Sequence, residues 1–103
     1  MIVVITEAVR PERSIRLDDG DNFTELAVDA VGLSRDEVTV VVSSAGAGAV
    51  EGEHLWIGID FLRNHGRGTG EWNHAFAAMI DYAGRNGWID DDGGRVRAHI
   101  RWK

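Results

Sequence analysis

Along RVRAHIRWK, Arg95 to Lys103, every second residue is apolar: Val96, Ala98, Ile100 and Trp102 fall on one side of an extended chain, and Arg95, Arg97, His99 and Arg101 on the other. This pattern predicts a terminal strand with one buried face and one cationic face. Near the other end IVVIT, residues 2 to 6, is β-branched and bounded by polar residues, as a buried strand would be. EVTVVVS, Glu37 to Ser43, also alternates and predicts a strand, with Val38, Val40 and Val42 inward and Thr39 and Ser43 outward. EHLWIGIDFL, Glu53 to Leu62, predicts another, turning Leu55, Ile57, Ile59 and Phe61 one way and His54, Trp56, Gly58 and Asp60 the other. Residues 7 to 21, with the single proline Pro11 and the turn-like DDGD, read as a long connection in which SIRL, residues 14 to 17, can add a short strand.

Two segments carry helical spacing. In NFTELAVDAVGL, Asn22 and Glu25 have the spacing of a capping box, Phe23, Leu26, Ala27, Ala30 and Val31 share one face, and Gly32 follows as a stop. After GRGTG, the residues Trp72, Ala75, Phe76, Met79, Ile80 and Ala83 form a broad apolar stripe that ends at Asn86 and Gly87, with Trp88 placed to fold back onto the last turn. DDDGG then turns into the terminal strand. The order strand, helix, strand, strand, helix, strand predicts a single α+β domain over residues 1 to 103. Its expected form is a βαββαβ ferredoxin-like two-layer sandwich, with a mostly antiparallel four-stranded sheet and both helices on one face. The likeness is to a topology and carries no family motif. In that order the last strand borders the first, and one strand separates His99 from His54.

Composition narrows the classes. One hundred and three residues suffice for one core and not two. There is no cysteine, which excludes disulfides and thiolate metal sites. The N-terminal apolar run is short and has no basic segment before it, and no stretch approaches the length of a membrane span, so a cytoplasmic protein without a membrane segment is expected. Seventeen acidic residues against eleven basic ones give a formal charge of -6, which disfavours nucleic acid as a partner. Ten arginines to one lysine, with abundant Gly, Ala, Val and Asp, fit a GC-rich bacterial genome.

Against that acidic background the cationic side of the last strand stands out. On the predicted topology the open sheet face carries Thr39, Ser43, His54, Trp56, Gly58, Asp60, Arg95, Arg97, His99 and Arg101. Arginines on a solvent-facing strand also have a purely structural use, since cross-strand ion pairs contribute about 0.2–1 kcal/mol each and charged edges discourage aggregation. An exposed indole beside Gly58 is harder to explain without a contact, and Trp72, Trp88 and Trp102 by contrast all fall at core or cap positions.

Two functions follow. The first is a small acidic module that works by protein contact through the open face, with Trp56, Arg95, Arg97 and Arg101 meeting a second copy of the chain or another protein, as immunity proteins and small inhibitors do. The alternative is a small enzyme or ligand-binding protein of isomerase, lyase or cyclase type. In it an anionic metabolite is held by arginine and stacked on Trp56, while His54, Asp60 or His99 moves a proton. No cofactor is implied. RNHGRGTGE, Arg63 to Glu71, lies where a phosphate loop could, yet it has neither the dinucleotide fingerprint nor a P-loop lysine. His65, His74 and Glu71 lack the spacing of a metal motif, and no metal is expected.

Overall fold

The computed structural model describes residues 1–7 and 14–103. The part of the 7 to 21 connection that holds Pro11 lies outside the described residues. In chain order the elements are β1 (Ile2–Thr6), β2 (Ile15–Asp18), β3 (Ala27–Val31), α1 (Arg35–Ala45), β4 (Gly48–Glu51), β5 (His54–Gly58), α2 (Ile59–His65), α3 (Gly70–Arg85) and β6 (Arg95–Trp102). The strands form one six-stranded mixed sheet in the order β2-β1-β3-β6-β5-β4. β3 runs parallel to both of its neighbours, β1 and β6, and the remaining pairs are antiparallel.

This overturns the four-stranded ferredoxin-like arrangement with two helices. The fold is α+β, but with six strands and three helices among the described residues, and β6 borders β3 and β5 rather than β1. The reading fails at three places. The segment expected as the first helix supplies β3: Asn22 closes a local turn by accepting from the Thr24 N–H, and AVDAV then runs as a strand. The segment expected as the second strand is helix α1. Ser34 and Glu37 form a reciprocal capping box there, Gly46 closes the other end in the left-handed conformation, and the helix buries Val38 and Val42 while Val40 stays 64% exposed. Val38 and Val42 share a face at both periods, so burial alone does not separate the two structures. The caps decide. Finally, the strand expected over Glu53 to Leu62 stops at Gly58, and Ile59 begins α2.

The core lies on one side of the sheet. The pairing registers put Val3, Ile5, Val28, Ala30, Ile100, Ala98, Val96, Leu55 and Ile57 on a common face. These join Val38 and Val42 of α1, Ile59 and Leu62 of α2, and Trp72, Phe76 and Ala83 of α3 in one buried cluster. Every helix therefore contributes to the same layer. SIRL does add a strand, β2, on the far side of β1. The α3 boundaries agree with the sequence pattern: the Thr69 side chain caps the start, and the Trp88 N–H returns to the Ala83 carbonyl at 2.9 Å. Of the four tryptophans only Trp72 belongs to the core. Trp88 and Trp102 are 36% and 37% exposed, the latter with its indole N–H donating to Glu53 at 2.7 Å.

Candidate functional site

The antiparallel pairing of β5 and β6 sets His54 opposite His99, Trp56 opposite Arg97 and Gly58 opposite Arg95. All six lie on the sheet face turned away from the core, because the residues between them belong to the buried cluster. Ile100 N–H donates to the Glu53 carbonyl at 2.8 Å. The hydrogen-bonded pairs therefore begin at Glu53 and Ile100 and recur every second residue, and His54 with His99 occupies a non-hydrogen-bonded position, where side chains approach more closely. Their ring centres are 5.6 Å apart, with 72° between the planes.

The sequence reading had put a strand between these two histidines; strand order brings them together instead. The third member of that set is separated because β5 ends at Gly58. Asp60 sits in the first turn of α2 with its carboxylate 90% exposed, paired to Arg63 at 2.8 Å. Thr39 and Ser43 leave the sheet face altogether, because their segment is α1. In the glycine-rich segment, the Trp72 ring backs onto Gly66 and Arg67 pairs with Asp21 at 2.7 Å, which gives those residues structural employment.

The three β6 arginines divide by what they touch. Asp29 lies opposite Arg101 on β3, is 9% exposed, and accepts from Arg101 Nε, while Lys103 Nζ stands 3.3 Å from its other oxygen. Arg101 also reaches Glu25 at 3.3 Å. Arg101 is thus consumed in closing β6 onto β3. Among the described residues no ion pair engages Arg95 or Arg97; Arg95 is exposed and Arg97 half-buried.

The Arg101 hydrogen bond holds the Asp29 carboxyl below its ordinary value of 3.8, with burial opposing the shift and Lys103 reinforcing it. A carboxyl depressed in the folded state adds stability above its unfolded pKa, and that stability is lost as pH falls through that value toward the folded one. Denaturant unfolding of the wild type and Asp29→Asn between pH 7 and pH 2 should show the wild type ahead by a constant margin above about pH 5, with the gap closing below about pH 4. A margin independent of pH would remove the charge from this account.

Beside β6 the neighbouring position changes hands partway along. Next to residues 95–97 it is held by the chain leaving α3: Ile89 bridges Val96, and Arg97 N–H donates to the Trp88 carbonyl at 2.8 Å. From His99 onward it is held by β3, which begins at Ala27. Between the two a cleft of about 300 Å³ opens. One wall is the approach to β3, from Phe23 to Leu26, with the Glu25 carboxylate; the other is Met79, Ile80, Tyr82 and Ala83 of α3 with Trp88. Its floor is Val96 to His99, with His54 beside His99. Tyr82 and Trp88 meet edge to face at 5.9 Å on the rim, both well exposed. The volume is at the lower end of small-molecule sites, and the lining combines an apolar bed with a few polar groups, as such sites do.

Sequence pattern places Glu25 at a helix cap, Met79 on the helical stripe and Trp88 at its end, and it singles out nothing at Tyr82. One signal did point elsewhere: the α3 stripe has six apolar positions, while only Trp72, Phe76 and Ala83 are buried, and the half-buried surplus at Met79 and Ile80 lines the cleft. Among the described residues no group of three or more His, Asp or Glu converges as a metal cluster, and no helix is long and apolar enough to cross a membrane. The chain matches no protein family, curated protein or solved structure.

Proposed function

We propose that the protein binds a small anionic molecule with an apolar body in the cleft beside β6, and that His54 and His99 supply proton-transfer groups there. One observation carries the reading: the cleft gathers Arg97, which no ion pair engages among the described residues, and a cross-strand histidine pair over an apolar floor. Guanidinium offers a planar fork to a carboxylate or phosphate, and an imidazole exchanges protons near neutrality. Trp88 and Tyr82 offer the apolar part of the ligand an aromatic rim.

The test is a thermal-shift and calorimetric panel of small aliphatic and aromatic carboxylates and phosphate monoesters. A ligand that binds the folded state raises the midpoint in proportion to the logarithm of its concentration over Kd. Arg97→Ala should weaken binding about 10- to 100-fold, since a hydrogen bond to a charged group contributes roughly 1.5–3 kcal/mol. Absence of stabilisation by every member, or equal stabilisation of Arg97→Ala, would reject the reading.

A second reading has its own support. Trp56 is half-buried opposite Arg97 on the sheet face away from the core, a surface suited to a second copy of the chain. Light scattering on wild type and Trp56→Ala separates it: self-association predicts a dimer that the substitution dissociates, and monomers throughout would leave the cleft as the remaining site.

A further inference from the structure

We propose that His54 and His99 form a two-histidine chelate for a divalent ion of borderline softness, Zn²⁺, Ni²⁺ or Cu²⁺, with the remaining coordination positions open to the cleft. The inference goes beyond anion binding and does not require it; with the ion bound, the two imidazoles act as ligands and not as proton carriers. It begins from the register: the two side chains lie on one face, directly opposite, at a non-hydrogen-bonded position of an antiparallel pair, where Cα atoms come within about 4.5 Å. Both therefore leave the sheet at nearly the same point and in the same direction.

Ring spacing supports the same conclusion. A metal held at about 2.0–2.1 Å from one nitrogen of each imidazole sits roughly 3.2 Å from each ring centre, so an angle at the metal between tetrahedral and trigonal places the ring centres about 5.2–5.5 Å apart. The observed separation is 5.6 Å, and the rings are inclined at 72° rather than stacked. Turning the two nitrogens onto a common point needs rotation about χ2, which is a soft torsion in histidine. His54 is half-buried and His99 exposed, so an ion reaches the pair from solvent.

Imidazole selects this group of metals over calcium and magnesium, which want oxygen donors. With two protein ligands the site is open, as sites that also bind a ligand are. Around it the charges are mixed. Arg97 is two residues from His99 and repels a cation, whereas Glu51, opposite His54 on β4, and Glu25 across the cleft attract one. An anion seated on Arg97 would complete the coordination. The chelate draws on neither His65 nor His74: His65 Nδ1 lies 2.8 Å from the Phe61 carbonyl, and His74 is exposed on α3.

The experiment uses the full chain, stripped with EDTA and titrated calorimetrically with ZnCl₂ and NiCl₂, with electron paramagnetic resonance on the Cu²⁺-loaded protein. One ion per chain is expected, with copper signals showing two nitrogen donors. Because the second ligand binds intramolecularly, His54→Gln and His99→Gln should each weaken binding about tenfold or more, and the double variant should bind little worse than either. His65→Gln with His74→Gln should leave affinity unchanged. Arg97→Ala should weaken anion binding while the metal still binds, somewhat more tightly because a neighbouring cation is gone, which keeps the two proposals separable. Circular dichroism and thermal midpoints confirm that the variants fold, as their exposure implies. No heat at millimolar metal, or an affinity left unchanged by either single substitution at His54 or His99, overturns the chelate.

Discussion

Phe76→Ala is expected to destabilise the protein by about 3–5 kcal/mol, enough to lower the thermal midpoint by roughly 12 °C or more. Phe76 is 1% exposed and is the largest fully buried side chain among the described residues. It stacks on Trp72 with ring centres 4.9 Å apart and 11° between planes, and the Arg63 guanidinium lies 5.6 Å from its ring. Truncation removes the transfer energy of the ring and leaves a cavity bounded by an indole whose own N–H is fixed to the Gly20 carbonyl at 2.9 Å, so the site cannot collapse inward. The loss reaches the cleft, because α3 presents Met79, Ile80 and Ala83 as its wall. Urea unfolding monitored by tryptophan fluorescence measures the effect, and a change below about 1.5 kcal/mol would show that α3 packs less closely than the structure has it.

The second large effect belongs to a glycine. A Cβ built on Gly48 would lie 1.8 Å from the Trp56 carbonyl oxygen and 2.9 Å from its carbon, and the residue has φ of +151°. Both obstacles are backbone, so no side-chain rotation relieves them. Gly48→Ala is expected to cost about 3 kcal/mol, combining the strain of a glycine-only conformation with a displaced β4. Gly48 pairs with Ile57, and the same hairpin carries Glu51 opposite His54, so displacement of β4 also disturbs the histidine pair. Gly94→Ala is the matched control: nothing lies within 4 Å of its Cβ position, and it should be close to neutral. Equal stability of the two variants would refute the β4–β5 contact.

Particular residues show where sequence pattern sufficed. Alternation over Arg95 to Trp102 gave β6 with its inward and outward sets, because a period of two has one structural meaning when the chain is extended. The α3 stripe was legible for the same reason at a period of 3.6, and its end from the C-cap pattern at Asn86 and Gly87. The segments that misled were short and rich in valine and alanine. Val38 and Val42 satisfy both periods, and the first four residues of AVDAV are buried on both faces of the sheet, so its pattern carries no alternation to read. Capping signals existed at both places, Asn22 with Glu25 and Ser34 with Glu37, and only the second caps a helix. Identical local chemistry closes a turn or starts a helix depending on what the following residues find to bury them.

Local pattern, then, determined an α+β chain with a terminal strand bearing Arg95, Arg97 and His99 on one side, since side-chain direction along a strand is fixed by backbone geometry. Strand order it could not determine, because the hydrogen bonds between strands are made by backbone groups that every residue carries alike. That order seated β5 beside β6 and so brought His54 to His99, gave Arg101 to Asp29, and left beside Ala98 the opening from which the cleft is made, while the end of β5 at Gly58 put Asp60 on α2.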